Sequence, residues 1–194
     1  MTDAATADAA TAGVEPATIR AGVAIEALDA EAYEAAIPGL ATLVVDAVEG
    51  GAGVNFLAGV SPSEAGAWWE ERTGLVREGV VTPFVARDAG RIVGSAILVR
   101  SRNPNSPHRA EIGKVIVLRA YRRRGIAAAL MLAAEARALA DGRWLLILDT
   151  VAGSPAAAMY ERLGWRAAGT IPDFALAPDG TPEAATVYWK DLRR

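Results

Sequence analysis

Apolar residues recur along this chain with two different periods, and the places where the period changes divide it into helices and strands. Ile37, Leu40, Leu43, Val44, Ala47 and Val48 fall at helical spacing and stop at Gly50-Gly51, a glycine helix stop. Ser61-Pro-Ser-Glu64 sets an N-cap serine, a proline in the first turn and a glutamate three residues after the cap, so it predicts a helix carrying Trp68 and Trp69. Adjacent residues on a helix do not share a face, so these two tryptophans cannot both point inward. A weak strand is expected over 18–25, and strands over 81–87 and 91–100 form a hairpin about Asp88-Ala-Gly90. Further along, the pattern predicts a strand over 109–118, a helix over 126–140 and a strand over 144–150. The five consecutive apolar residues of that last strand suit burial on both faces. A short helix over 155–163 follows, capped by Ser154 and stopped by Gly164. Two strands, 165–171 and 185–190, close the chain around the turn Pro178-Asp-Gly180.

Strand, fifteen-residue helix, strand is a βαβ unit, which makes its two strands parallel and its crossover right-handed. The turn Arg122-Arg-Arg-Gly-Ile126 then lies at the carboxyl end of the first strand and the start of the crossover helix. Free backbone N–H groups and the positive end of the helix dipole converge there, so an anion, best a phosphate, is the natural ligand. Gly125 allows close backbone approach, Ala127 keeps the helix start narrow, and Arg122, Arg123 and Arg124 add charge for more than one phosphate. The turn has neither the G-x-x-x-x-G-K-[ST] of a triphosphate loop nor the G-x-G-x-x-G of a dinucleotide fold.

Composition removes other classes. A net charge of −3 and a pI near 5.3 argue against nucleic acid or an anionic membrane as partner, which makes the arginine cluster local and specific. No cysteine is present and His108 is the only histidine, so thiolate metal sites, multi-histidine sites and a covalent cysteine intermediate are excluded. His108 lies in a loop-like stretch and reads as a surface residue. The first seventeen residues are small, polar and mildly acidic and read as a tail, leaving one domain over 18–194. With neither a signal peptide pattern nor a long apolar span, a cytoplasmic protein is expected.

Val117-Leu-Arg-Ala-Tyr-Arg-Arg-Arg-Gly-Ile-Ala127 resembles the acyl-CoA signature of the GCN5-related N-acetyltransferases, R/Q-x-x-G-x-G/A, through Arg122, Gly125 and Ala127. Ala156-Ala-Ala-Met-Tyr-Glu-Arg-Leu-Gly-Trp165 is similar to that family's A-x-x-L-Y-E-K-L-G-F segment, and the match runs over about residues 81 to 192. Within the family, Arg109-Ala-Glu-Ile-Gly-Lys-Val115, Leu148-Asp-Thr-Val-Ala-Gly-Ser154 and Pro178-Asp-Gly180 most resemble small-molecule acetyltransferases of the tabtoxin-resistance type. The resemblance implies an α/β (α+β) fold with a mixed central sheet of six to seven strands, a parallel βαβ core and flanking helices. It implies acetyl-CoA as cosubstrate and no metal. The pyrophosphate would be held by the backbone of Arg124, Gly125, Ile126, Ala127 and Ala128, and the pantetheine arm would pair like a strand with Ile116, Val117 and Leu118. Many members have an asparagine at the position of Gly153; Ser154 beside it is the expected substitute. Homodimers are common among such proteins.

Acetyl transfer to an amine needs a base for the amine and an acid for the departing thiolate. Glu111, Gly113, Val115 and Val117 share a strand face by alternation, and Glu111 lies six residues before Val117, about 20 Å at 3.3 Å per residue. Its place eleven residues before Arg122 matches the glutamate base of histone-type members; the alternative is a surface ion pair with Arg109 or Lys114. Asp149 ends a parallel strand, where α/β folds put ligands, and partial desolvation there would make it a base or an amine ligand; otherwise it serves as a turn residue. Tyr160 shares a helix face with Ala156, Met159 and Leu163 and by spacing is core, whereas the resemblance makes its hydroxyl the general acid. Without a cysteine, direct attack in a ternary complex is expected. The acceptor, a small-molecule amine, is expected over 50–57, Trp68, Trp69, the loop 101–107 and 174–181. A protein acetyltransferase and a non-catalytic acyl-CoA sensor are the alternatives.

Overall fold

The computed structural model describes residues 22–193, so the tail expected over 1–17 and the first part of the strand expected over 18–25 lie outside the described residues. β1 (Val23–Ala27) begins inside the expected span and runs two residues beyond it. α1 (Ala30–Glu49) starts earlier than its apolar repeat because Asp29 caps it, accepting from the Ala32 amide at 2.9 Å, and it ends at the anticipated glycine. α2 (Pro62–Glu70) has the full capping box, with Ser61 and Glu64 each bonding the other's backbone amide. A one-turn helix, α3 (Thr73–Arg77), follows; its five residues are too few to show a period in the sequence.

β2 (Val81–Asp88) and β3 (Arg91–Arg100) form the expected hairpin. β4 (Arg109–Val117), α4 (Ile126–Ala140) and β5 (Leu145–Val151) form the expected βαβ unit, with β4 and β5 parallel. α5 (Pro155–Arg162) leads to β6 (Arg166–Leu176) and β7 (Pro182–Asp191), both longer than their apolar runs, with the turn 177–181 between them. The seven strands make one mixed sheet in the order β1-β2-β3-β4-β5-β7-β6. α1 and α4 both pack on β3 and β4 with little or no contact between themselves, so they cover opposite faces and give three layers. Among the described residues no helix is long and apolar enough to cross a membrane.

The core is widest where α1, β3, β4 and α4 meet: Leu40, Leu43, Val44, Val93, Leu98, Ile126, Leu130 and Met131 are almost wholly buried. Gly94 is part of that closeness, since a Cβ there would meet the Ile116 carbonyl oxygen at 3.1 Å and the side chains of Ile126 and Leu130 at 3.2 Å. β5 departs from the expectation of burial on both faces. Leu146 and Leu148 are buried, while Leu145 and Ile147 are half-covered and Asp149 is exposed, because one face of the strand opens into a cleft. β6 is the far edge of the sheet and all eleven of its residues are exposed. Its register on β7 slips twice, between Ala167 and Gly169 and between Ile171 and Ala175.

Candidate active site

β4 and β5 are in register only at Arg109–Leu145, Ala110–Leu146 and Glu111–Ile147. Past that point the two strands diverge, β5 continuing along β7 and β4 along β3, so β4 has an unpaired side from Ile112 onward. The cause is a bulge in β4. Gly113 faces Ile97 and Ile116 faces Ser95, which leaves Lys114 and Val115 opposite the single residue Ala96. Lys114 sits at φ +50°, and Ser95 Oγ donates to its carbonyl at 2.9 Å. The extra residue breaks the alternation expected along the strand. Beyond the bulge Ile116, not Val117, continues the face of Glu111 and Gly113.

At the end of β4 the Leu118 amide donates to Val93 and its carbonyl accepts from Tyr121, so Leu118 is largely committed inside the protein. Alternation turns the amide and carbonyl of Val117 the other way, toward the cleft, where Arg122 Nε reaches the carbonyl at 3.3 Å. Arg124 folds back on the Ala120 carbonyl at 2.8 Å and over the Tyr121 ring. Arg123 and Gly125 both take the left-handed conformation, at φ +60° and +80°. Gly125 is the N-cap of α4 and no side chain caps that helix, so the first-turn amides of Ile126, Ala127 and Ala128 are available to an anion. Arg119, three residues before the turn, is held to α1 by hydrogen bonds of 2.9 Å to both Asp46 and Glu49. Ser154 is committed to α5, which its Oγ caps by accepting from the Ala157 amide at 3.2 Å. Gly153 beside it is left-handed at φ +70°, a conformation for which glycine and asparagine are the usual residues.

Glu111 and Asp149 line one cavity of about 190 Å³ with Ile147, Leu148, Phe174 and Val187. Among the described residues Glu111 makes no ion pair with Arg109 or Lys114, the alternative expected for it, although Arg109's charge still acts on it. Loss of hydration raises its carboxyl above the ordinary range, Asp149's negative charge raises it further, and Arg109 opposes both. Asp149 is exposed at the cavity mouth rather than desolvated as expected, because the strands have already parted around it. Tyr160 is 5% exposed, its ring 6.2 Å from those of Trp165 and Tyr188. Burial, then Asp149's charge, push its phenol well above the usual value, so it stays protonated. Among the described residues its hydroxyl has no hydrogen-bond partner.

Of the expected acceptor segments, Phe174 reaches the cavity and Trp68 is partly exposed, whereas Trp69 is fully buried with its ring edge against Tyr33. The 53–58 loop meets the 176–178 turn, with the Ala58 amide donating to Pro178 at 2.8 Å. The loop 101–107 does not line the cavity: it closes on itself through Ser101 and Ser106, and His108 stacks on Trp144. Sequence reasoning misses two residues. Lys114 is turned by the bulge toward Trp68 and Asn55, and nothing in the strand pattern marks that. Arg72 stacks on Trp68, and its spacing four residues further on is the signal that could have found it.

The same arrangement of elements recurs in solved structures. A ribosomal-protein-alanine N-acetyltransferase from Brucella melitensis is 26% identical, with 87% of this chain and 99% of that one covered at a TM-score of 0.68. A candidate acetyltransferase from Salmonella typhimurium, solved with its cofactor acetyl-CoA, is 19% identical over 88% of this chain and 94% of that one, at 0.70. A candidate phosphinothricin N-acetyltransferase is 17% identical over 88% and 98%, at 0.68. The sequence model of the acetyltransferase (GNAT) family matches residues 55–165, more than half of the chain and the whole of the bulged strand, arginine turn and Tyr160 helix. With that match added to the parted strands and the uncapped helix start, the chain belongs to the acetyltransferase (GNAT) family and is an N-acetyltransferase.

Proposed function

We propose that the protein transfers the acetyl group of acetyl-CoA to the primary amine of a small molecule, an amino-acid-like toxin, antibiotic or metabolite, by direct attack in a ternary complex. The observation that carries this reading is the meeting of Glu111 and Asp149 in one small cavity beside the unpaired side of β4, with Asp149's charge also acting on Tyr160. The family uses acetyl-CoA, and this chain's residues fit it. The free side of Val117 suits an amide-bearing arm, and the uncapped amides from Ile126 to Ala128, with Arg122 and Arg123 nearby, suit a pyrophosphate. The bound cosubstrate supplies an activated acetyl thioester.

Glu111, with its affinity for protons raised, removes the proton from the attacking ammonium directly or through one water. Asp149, exposed at the mouth, attracts the incoming cation. Tyr160, kept protonated, delivers its free hydroxyl proton to the leaving sulfur. The small volume of the cavity favours a small acceptor. The likeness to the Brucella enzyme is the reason to keep a protein N-terminus as the second reading. Calorimetry of acetyl-CoA binding, paired with CoA thiol release over small amines, amino-acid analogues and peptides, tests both, with Glu111→Gln alongside. Turnover of a small amine that Glu111→Gln loses while still binding acetyl-CoA upholds the proposal. Turnover of peptides alone transfers it to the second reading, and binding without any turnover makes the protein a sensor.

A further inference from the structure

Two cations beside the β4 bulge take no part in the proton transfers above. Arg72, just past α2, has its guanidinium carbon 3.2 Å from the centre of the Trp68 ring and donates from Nη1 to the Trp68 carbonyl at 2.5 Å. Lys114 Nζ lies 4.3 Å from the centre of the same ring, donates to the Val54 carbonyl at 2.9 Å and bonds Asn55 Oδ1. Among the described residues Lys114 has no ion-pair partner. Arg72 has only Glu71, 3.7 Å away on a side chain that is 75% exposed.

Such an arrangement is costly as mere architecture. Two like charges share one aromatic pad, and both are partly withdrawn from water. Burial, reinforced by Arg72, draws the Lys114 ammonium down to about 8, against the pull of Asp149. A neutral amide side chain could tether the 53–57 loop to β4 without that penalty, and half-buried charges are ordinarily paired. An ammonium has three donors and a guanidinium five, so both groups keep donors unspent after the bonds above. Asp149 connects the two regions, since its charge acts on Lys114 as well as on Glu111 and Tyr160. Lys114 also follows Glu111 by three residues on β4, at the bulge beside the unpaired side of that strand, so a cation lies along the same strand as the cavity's carboxylate.

We infer that Arg72 and Lys114, held on Trp68, bind a carboxylate of the acceptor, so that the substrate is a free amino acid or a close analogue whose amine faces Glu111 and Asp149. This rests on the acetyl-transfer reading above. A zwitterion satisfies both ends. An amine without an anion leaves the cations unpaired, and an anion without an amine meets two carboxylates. Arg72 and Lys114 act as positioning residues, and their effect belongs in KM.

The test compares free α-amino acids with their α-carboxamides as acceptors in the thiol-release assay, for wild type, Arg72→Met, Lys114→Met and the charge-keeping Arg72→Lys. Wild type should prefer the acid over the amide by roughly tenfold or more in kcat/KM, the scale of a hydrogen bond to a charged group. Both methionine variants should bring that ratio toward one through KM, with Arg72→Lys keeping part of it. Equal use of acid and amide by wild type overturns the inference and leaves acetyl transfer intact. A second measurement does not depend on turnover: thermal melting of the CoA-saturated protein with the same amino acids and amides. Stabilisation by the acids alone, lost in Lys114→Met, supports the anchor; no acid-specific shift overturns it.

Discussion

Replacing Tyr160 by phenylalanine separates chemistry from architecture more cleanly than any other change in this protein. The ring stays where it is, packed beside Trp165 and Tyr188, and only the hydroxyl leaves. That hydroxyl has no partner among the described residues, so its removal orphans nothing. Stability should stay within about 0.5 kcal/mol of wild type, because no hydrogen bond among the described residues is lost. In a domain of this size that is a change in Tm of about 2 °C at most. If the hydroxyl protonates the leaving thiolate, the loss in kcat is that of a general acid, roughly 10²- to 10⁴-fold, or about 2.7–5.5 kcal/mol in the barrier. Tyr188→Phe is the matched control. Its hydroxyl donates to Glu161 at 2.9 Å, so its loss should cost about 0.5–1.5 kcal/mol of stability and leave kcat within about twofold. Thiol release gives the rates and thermal melting the stabilities. A Tyr160→Phe enzyme with wild-type kcat, or one whose lost activity is matched by lost folding, refutes the assignment.

Asp149→Asn removes the charge that helps raise Glu111, so the Glu111 carboxyl falls and its basic form persists at lower pH. The acid limb of kcat/KM should move to lower pH in that variant, whatever happens to its plateau; an unmoved limb shows that the limb belongs to another group. Gly94→Ala drives a methyl to within 3.1–3.2 Å of Ile116, Ile126 and Leu130. Overpacking of about 1–3 kcal/mol follows, which lowers Tm by roughly 2–12 °C, and a melt unchanged from wild type contradicts the close contact of α4 and β3.

What can be read in advance is what is written in periods and caps. The capping box at Ser61, the glycine stop after α1 and the change from period two to helical spacing around Arg122 each have one local physical meaning, and each occurs where expected. The bulge at Lys114 has no such signature, because the residues from Glu111 to Val117 look the same with or without an extra residue in the ladder. Alternation alone therefore assigns Lys114 to no site, and Val117 to the wrong face. The point at which β4 and β5 part is equally silent. Their apolar runs continue past Glu111 and Ile147, and only the partner's course shows that pairing has ceased. That is why the sequence puts Asp149 in a drier place than it occupies. Tyr160 illustrates the converse: its spacing identifies it as buried, which it is, but nothing in that spacing shows that its hydroxyl lacks a hydrogen-bond partner among the described residues or that Asp149's charge acts on it.

The two register slips in β6 bear on how this protein behaves when crowded with its own kind. A bare eleven-residue edge with Ile171, Phe174 and Leu176 exposed offers backbone donors and acceptors to any passing strand. Stacking into fibrils needs about six or seven residues of unbroken, regular edge. Here the ladder shifts after Ala167 and again after Ile171, Pro172 lacks a donor, and Asp173 stands left-handed at φ +50° with a charge. Between the irregularities only Gly169 to Ile171 remain in step, too few to recruit a neighbour. Irregularity that looks like imperfect pairing thus acts as a guard against self-assembly, and straightening the 171–175 segment would expose the chain to it.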